Sequence, residues 1–422
     1  MILPAEAHPL PFALGPTFTY PTFDRFAALM AAAVRAPGRR TAANLLRALG
    51  PLADGHPTTY RRVLSSASWS GLRLGLALAR FLLHHLLPAG PAVLVGDGTA
   101  DGHRGKDVYG KARHRDPVRS TRSYTAWRCG HEWAVPAVLV RFPFATRPRA
   151  LPALADLYRC AEGDRRRERP HRTPAQLMCR LRRLLLLRFP GRRFVSAGDR
   201  GYGAHEVARF CRRRRGRLTP VSQLRPDANL VGPPPPYAGA GRPRVKGPAL
   251  PKPRQAAAAA RRRRTTVGWY GGGTRRVEVA AGTGRRYKSG RGLVPLRWVF
   301  VRDRSGTHRG EYLYATDPAL LPEAVVGYST GRWSIETTFQ GMRSCLGPER
   351  TRGWCARAVL RAAPCLLGLY SAVAVLYRAL PESKRSGQRP GLLRGSPGER
   401  PVPGAAGVEA VGAAALAGQV PG

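Results

Sequence analysis

The chain has 422 residues, of which 71 are Lys or Arg and 25 are Asp or Glu, giving a formal charge of +46; 43% of the residues are hydrophobic. That length exceeds one compact domain, and the hydrophobic share supports sizeable cores, which excludes a wholly disordered polycation. So large a positive excess points to a polyanionic partner, with nucleic acid the first candidate.

Seven cysteines lie scattered with no Cys-x-x-Cys pair, so reduced thiols in a cytoplasmic protein are expected rather than disulfides or a zinc ribbon. The N-terminus "MILPAEAHPLPFALGPTFTY" has no basic stretch followed by a continuous apolar run, so no signal peptide is expected. Residues 1–88 read as an N-terminal helical region. Within it, "FDRFAALMAAAVRA" and "WSGLRLGLALARFLLHHLLP" carry apolar residues at helical spacing. Arg25, Arg35, Arg39, Arg40, Arg47, Arg61 and Arg62 gather around the segment between these helices. Two readings stand open there: a separate module that grips DNA ends, or a helical cap packed on the rest.

"PAVLVGDGT" (91–99) predicts a strand ending on a Gly-Asp-Gly turn, and "HEWAVPAVLVRFPF" (131–144) a second strand. Between them, Arg104, Lys106 and Lys111 read as a loop for a DNA backbone. His103 and His114 flank it; with no matching Cys or His cluster in the sequence, phosphate contact or surface exposure is expected of both. "TPAQLMCRLRRLLLLRFP" (173–190) opens with a Thr N-cap and a Pro at the first helical position. The strand "RFVSAGD" and a helix at 204–213 follow. Near 225 the texture turns to Pro, Gly, Ala and Arg, which predicts an extended loop. The runs 212–215 and 261–264 are uniform arginine, suited to neutralising phosphates rather than reading bases. Strands are expected at "TTVGWYGG", "RRVEVAAG", "LRWVFVRD" and "EYLYATD", and a helical run from Pro322. "APCLLGLYSAVAVLY" (363–377) is too short to span a bilayer and reads as a buried helix. From 382 the low-complexity tail is expected to be disordered.

The two strand-end acids, Asp97 and Asp199, are each ordinary turn residues when taken alone. Glu336 adds a third carboxylate. On a helix it shares a face with Arg332 and Gln340, with Arg343 two turns along and Trp333, Ile335 and Phe339 forming the apolar side. Three separated carboxylates in a basic chain suit phosphodiester cleavage, which uses two divalent cations held by carboxylate oxygen. Arginines would neutralise the phosphates.

The blocks "GDRGYG", "QLRPDANLVGPPPP", "GRPRVKG" and "YSTGRWSIETTFQGMR" resemble the DDE transposases of bacterial insertion sequences, in the group with a Tyr-Arg-Glu-Lys signature on the third-acid helix. The resemblance runs from about residue 20 to about 380. It implies an α/β chain with a ribonuclease-H-like catalytic core in residues 89–224 and 311–381. It further implies a β-rich insertion at 225–310, beside the N-terminal helical region 1–88 and the tail 382–422. Asp97, Asp199 and Glu336 would be the catalytic acids and the ligands of two Mg²⁺ ions, with Mn²⁺ able to substitute. Tyr328, Arg332 and Arg343 would contact DNA, and Trp298 or Trp269 of the insertion would stack a flipped base. The chain departs from the group's pattern in three places. Glycine precedes Asp97 where two adjacent acids are common, with Asp101 and Asp107 nearby; Tyr328 stands one residue farther from Arg332; and Arg343 replaces Lys.

The implied activity is cleavage of mobile-element ends and their joining to target DNA, by a homodimer assembled on those ends. The implied setting is the bacterial cytoplasm at the nucleoid, with no membrane partner. The rival readings are a decayed or domesticated transposase that only binds DNA, and a metal-dependent nuclease with no joining step.

Overall fold

The computed structural model describes residues 8–116, 119–237, 239 and 241–382; the expectation of a disordered tail falls outside them, apart from residue 382. Five helices lead the chain: α1 (Pro9–Leu14), α2 (Tyr20–Arg35), α3 (Ala42–Leu49), α4 (Pro57–Ser65) and α5 (Gly71–Leu86). α2 and α5 are the two helices read from the sequence. α3 and α4 occupy the segment between them. Thr41 caps α3 by accepting the Asn44 N–H, and α4 opens on Pro57.

The next elements are β1 (Ala92–Gly102), β2 (Ala112–Arg115), β3 (Trp127–Val140), β4 (Arg149–Pro152), β5 (Asp156–Tyr158), α6 (Ala161–Arg165), α7 (Pro174–Arg188), β6 (Phe194–Gly198), α8 (His205–Arg212) and β7 (Leu218–Gln223). β3 runs antiparallel to β1 and carries β4 and β5; β6 runs parallel to β1, and β7 parallel to β6. This is the ribonuclease-H-like order expected. β6 is buried throughout, and the half of β1 that pairs with it, residues 92–96, is apolar, as parallel strands packed inside a fold require. α7 is fixed at its start by a capping box between Thr173 and Gln176, and buries Leu177, Met178, Leu181 and Leu185.

The insertion supplies β8 (Leu230–Val231), α9 (Pro253–Ala259), β9 (Arg263–Gly268), β10 (Thr274–Lys288) and β11 (Gly292–Asp303), and β12 (Glu311–Ala315) follows. β12 pairs with β7 and β11 with β12, so these strands continue the sheet of β1, β3, β6 and β7, which reaches twelve strands among the described residues. The chain then forms α10 (Pro322–Gly331), α11 (Ser334–Cys345) and α12 (Ala356–Ala379). The helical run expected from Pro322 is therefore broken at Arg332 and Trp333.

One hydrophobic core holds the N-terminal helices, β1, β3, β6, α7, α11 and α12 together, with Phe26, Leu82, Val95, Leu151, Met178 and Leu366 among its members. Each such side chain, fully buried, contributes roughly 1.5–3 kcal/mol. Arg361 of α12 is buried and donates to the carbonyls of Leu64, Ala67 and Trp69. Arg40 is buried and donates to the carbonyl of Cys345 at 2.6 Å. The N-terminal helices are thus packed on the core, and Arg40 serves that packing. α12 is long and apolar enough to cross a membrane by length and composition, and 67% of its most apolar window is buried inside the protein.

Candidate active site

β1 and β6 are parallel and in register, with Gly96 opposite Gly198, so the next residues, Asp97 and Asp199, emerge side by side. Close approach explains both glycines. A Cβ on Gly96 would lie 3.0 Å from Met178 Cε and 3.4 Å from Arg182 Nη2, while one on Gly198 would lie 2.9 Å from Tyr202 Cβ. A second acid in place of Gly96 would press on the ends of Met178 and Arg182 from α7, which would have to shift, and this crowding favours glycine before Asp97. Asp199 is held by the Tyr202 N–H, which donates to its Oδ1 at 3.0 Å, and by the Ser222 hydroxyl, which donates to its carbonyl at 2.7 Å.

Glu336 comes from the first turn of α11, which Ile335 and Phe339 anchor in the core. Arg332, in the break between α10 and α11, reaches two acids: Nη1 lies 2.8 Å from Asp97 Oδ2, and Nη2 lies 3.0 Å from Glu336 Oε1. Burial pushes the Asp97 carboxyl up to about 6; Arg332 and the Gly98 N–H oppose the rise, while the nearby Asp199 and Glu336 add to it. The three carboxylates of the sequence reading therefore converge, drawn from β1, the end of β6 and α11. An oxygen donor set with this much mutual repulsion suits a hard divalent cation. Asp107 is exposed and Asp101 is buried elsewhere, so of the nearby acids it is Asp97 that faces the other two.

Two residues at the site escaped sequence reasoning. Tyr202 is buried beside Gly98. Burial, together with Asp97, Glu132 and Asp199, pushes its phenol well above the usual range, so it is a neutral hydroxyl. Its place in "GDRGYG" was the available signal. Arg182, from the buried face of α7, lies fully buried beneath the two glycines, and its Nε and Nη1 have no hydrogen-bond partner among the described residues. An arginine at a core position of a Leu stripe was the signal there.

The other site residues divide. Arg343 Nη2 donates to Thr99 Oγ1 at 2.9 Å, two residues beyond Asp97 on β1. Tyr328 is half-buried against a second core cluster that includes Val325 and Val326, and its carbonyl accepts the Arg332 N–H. Arg104 and Lys106 are exposed after β1, and Lys111 donates to the Gly105 carbonyl. Gln340 is exposed.

Trp298 requires correction. It is 6% exposed, its ring lies over Gly282 on the facing strand, and it packs with Leu230, Leu296 and Tyr314, which leaves no face for a base. Trp333 is also corrected, from the apolar side of its helix to 46% exposure. It meets Tyr270 edge-on at 6.1 Å; Tyr270 stacks on His308, and Trp269 packs beside them. His103 and His114 are both buried rather than exposed: His114 pairs with Glu132 at 3.2 Å, and His103 faces Asp101. In the arginine runs, Arg262 and Arg264 flank Glu278, Arg263 pairs with Glu323, and Arg214 covers Phe210.

Residues 13–276 match the family model described as DDE superfamily endonuclease. The match covers more than half of the chain, holds Asp97 and Asp199, and ends before Glu336. No curated protein matches. Among solved structures, one similar chain is that of the cryo-EM structure of the piggyBac transposase synaptic complex with hairpin DNA. The two share 13% identity and a TM-score of 0.44, over 94% of this chain and 73% of that one. With that family match, and a sheet that sets Asp97 beside Asp199, the chain belongs to the DDE superfamily endonucleases.

Proposed function

We propose that this endonuclease is a DNA transposase of the insertion-sequence kind, cutting the ends of its own element and joining them to target DNA. The observation that carries the reading is the convergence of Asp97, Asp199 and Glu336 around the Arg332 guanidinium. In this reading the three acids hold two Mg²⁺ ions, with Mn²⁺ able to substitute. When bound, such ions activate an attacking oxygen and stabilise the leaving one. The chain's own groups do the rest. Arg332 already spans two carboxylates with a planar fork, the geometry that also suits a phosphate, so it exchanges acid for backbone as DNA enters. Tyr202 supplies a neutral hydroxyl beside Asp97. Arg343, anchored on Thr99, continues the positive line along β1. Arg104, Lys106 and Lys111 grip the backbone without sequence choice. A flipped base would stack on the exposed Trp333 rather than on Trp298. We place the recognition of element ends on the N-terminal helices, the assembly as a homodimer on those ends, and the setting at the nucleoid in the cytoplasm.

A second reading, a DNA binder without chemistry, draws on one feature: Arg332 occupies two of the three acids. A supercoiled plasmid bearing the element with its genomic flanks, incubated with Mg²⁺, decides between them. Excision and strand-transfer products are expected, falling at least about 10²–10³-fold in Asp199→Asn and in Glu336→Gln, the scale for losing one group aimed at developing charge. Tight binding with no cleavage by the wild type would leave the second reading. Cleavage without joined products would leave a plain nuclease, and cleavage unaffected by both substitutions would remove these acids from the mechanism.

A further inference from the structure

A second cluster of ligating groups lies farther along β1. Asp101 and His131 are cross-strand partners on β1 and β3, and His103 follows β1 directly. All three are buried, and their ligating atoms lie within 4.8 Å of one another. Asp101 is four residues beyond Asp97, roughly 13 Å along an extended strand, so the cluster is distinct from the three acids.

The proton inventory is the telling point. His131 Nε2 lies 3.0 Å from the Tyr109 carbonyl, which can only accept, so Nε2 carries the hydrogen. A neutral imidazole then turns the lone pair of Nδ1 toward Asp101 Oδ1, 3.2 Å away. That oxygen already accepts the His131 N–H at 3.1 Å, while Oδ2 accepts Trp133 Nε1–H at 3.1 Å. His103 Nε2 faces the same Oδ1 at 3.5 Å, long for a hydrogen bond. The His131 Nδ1 lone pair and the Asp101 carboxylate thus face each other with His103 Nε2 beside them, an arrangement that a positive centre among the three would relieve. The spacing fits a metal: ligands about 2.0–2.1 Å from a tetrahedral Zn²⁺ stand roughly 3.3 Å apart. The Tyr109 carbonyl fixes the His131 tautomer, as an outer partner of a metal-bound histidine does.

We propose that Asp101, His103 and His131 form a zinc site, with water at the fourth position, separate from the catalytic acids. Nitrogen and carboxylate donors together suit Zn²⁺ over Mg²⁺. The ion would join the end of β1 to β3 and to Tyr109, pinning both ends of the loop that carries Arg104 and Lys106.

Untagged full-length protein, incubated with Zn²⁺ and dialysed exhaustively, is assayed for metal by mass spectrometry. About one zinc per chain is expected, the stoichiometry of a single site. The zinc should be retained by Asp199→Asn, which weakens only the catalytic site, and reduced at least tenfold in His131→Gln. A wild type that retains no zinc overturns the proposal. So does an Asp199→Asn chain that loses its zinc, or a His131→Gln chain that keeps it. Because His131→Gln could fail to fold, wild-type protein stripped by chelator and reloaded with Co²⁺ provides a second readout. The intense visible absorption of four-coordinate cobalt is expected; no uptake, or only the weak band of octahedral cobalt, overturns the assignment.

Discussion

Asp97, half-buried, and Asp303, buried, are both carboxylates bonded to an arginine, Asp97 to Arg332 at 2.8 Å and Asp303 to Arg275 at 2.7 Å, yet they are opposite in character. Around Asp303 the chain turns back and supplies donors. Against the cost of burial, the Thr307 hydroxyl, the Ser305 hydroxyl and N–H and Arg275 together hold its carboxyl well below the usual range. Asp97 receives the Gly98 N–H and Arg332, and shares its surroundings with two further acids, so burial wins. A saturated carboxylate closes a turn. An under-served one among its own kind is poised for a cation.

The sharpest way to break that contrast is to remove the saturated member. Asp303→Ala should destabilise the fold by about 3 kcal/mol, the low end for a broken buried ion pair, because Arg275 is itself about a third exposed. The thermal midpoint should fall by roughly 4 °C at that cost, with cleavage per folded molecule unchanged. An Asp303→Ala chain that melts like the wild type would show that this network contributes nothing.

The pH response of Asp97 has the opposite sign to that of a salt-bridged carboxylate. With its folded value at about 6 against 3.8 for an unperturbed Asp, the folded state holds the proton more tightly between those limits. Stability contributed at low pH is therefore lost as pH rises from about 4 to about 6, by an amount on the order of 3 kcal/mol. Chelator-treated wild type should lose stability over this window relative to Asp97→Asn, as read by denaturant midpoints, and added Mn²⁺ should restore it above pH 6. Parallel curves for the two proteins would mean that Asp97 titrates normally.

The smallest expected effect sharpens the difference between buried and exposed charge. Replacing the exposed Arg104 and Lys106 by Ala should leave stability unchanged and lower the slope of log affinity against log salt by about 2 on duplex DNA. An unchanged slope would take this loop off the backbone.

Much of this arrangement was legible in the sequence where local signals and tertiary packing agree. The apolar runs ending at Asp97 and Asp199 became adjacent parallel strands, and the Thr-Pro start at 173 became a capped helix. Where packing decides alone, the sequence was mute. α3 is eight residues long and α4 nine, too short for a clear period, and both owe their existence to the surface they cover. The break at Arg332 carries no Pro, and it places the guanidinium on Asp97. Trp298 is buried and Trp333 exposed, against expectation for both, because which face of an element is covered depends on neighbours distant in sequence. The partnership of His103 with His131 was hidden in the same way: 28 positions separate residues that a strand pairing brings together.

The β7–β12 pairing has a mechanical consequence. A hydrogen-bonded ladder does not hinge as a linker does, so the insertion cannot swing independently of the strands that carry Asp97 and Asp199. Side chains on β9 to β11 therefore keep a fixed spacing from Asp97 and Asp199, and in the proposed transposase reading a duplex laid along those strands would meet the acids at a set distance, as along a rigid ruler.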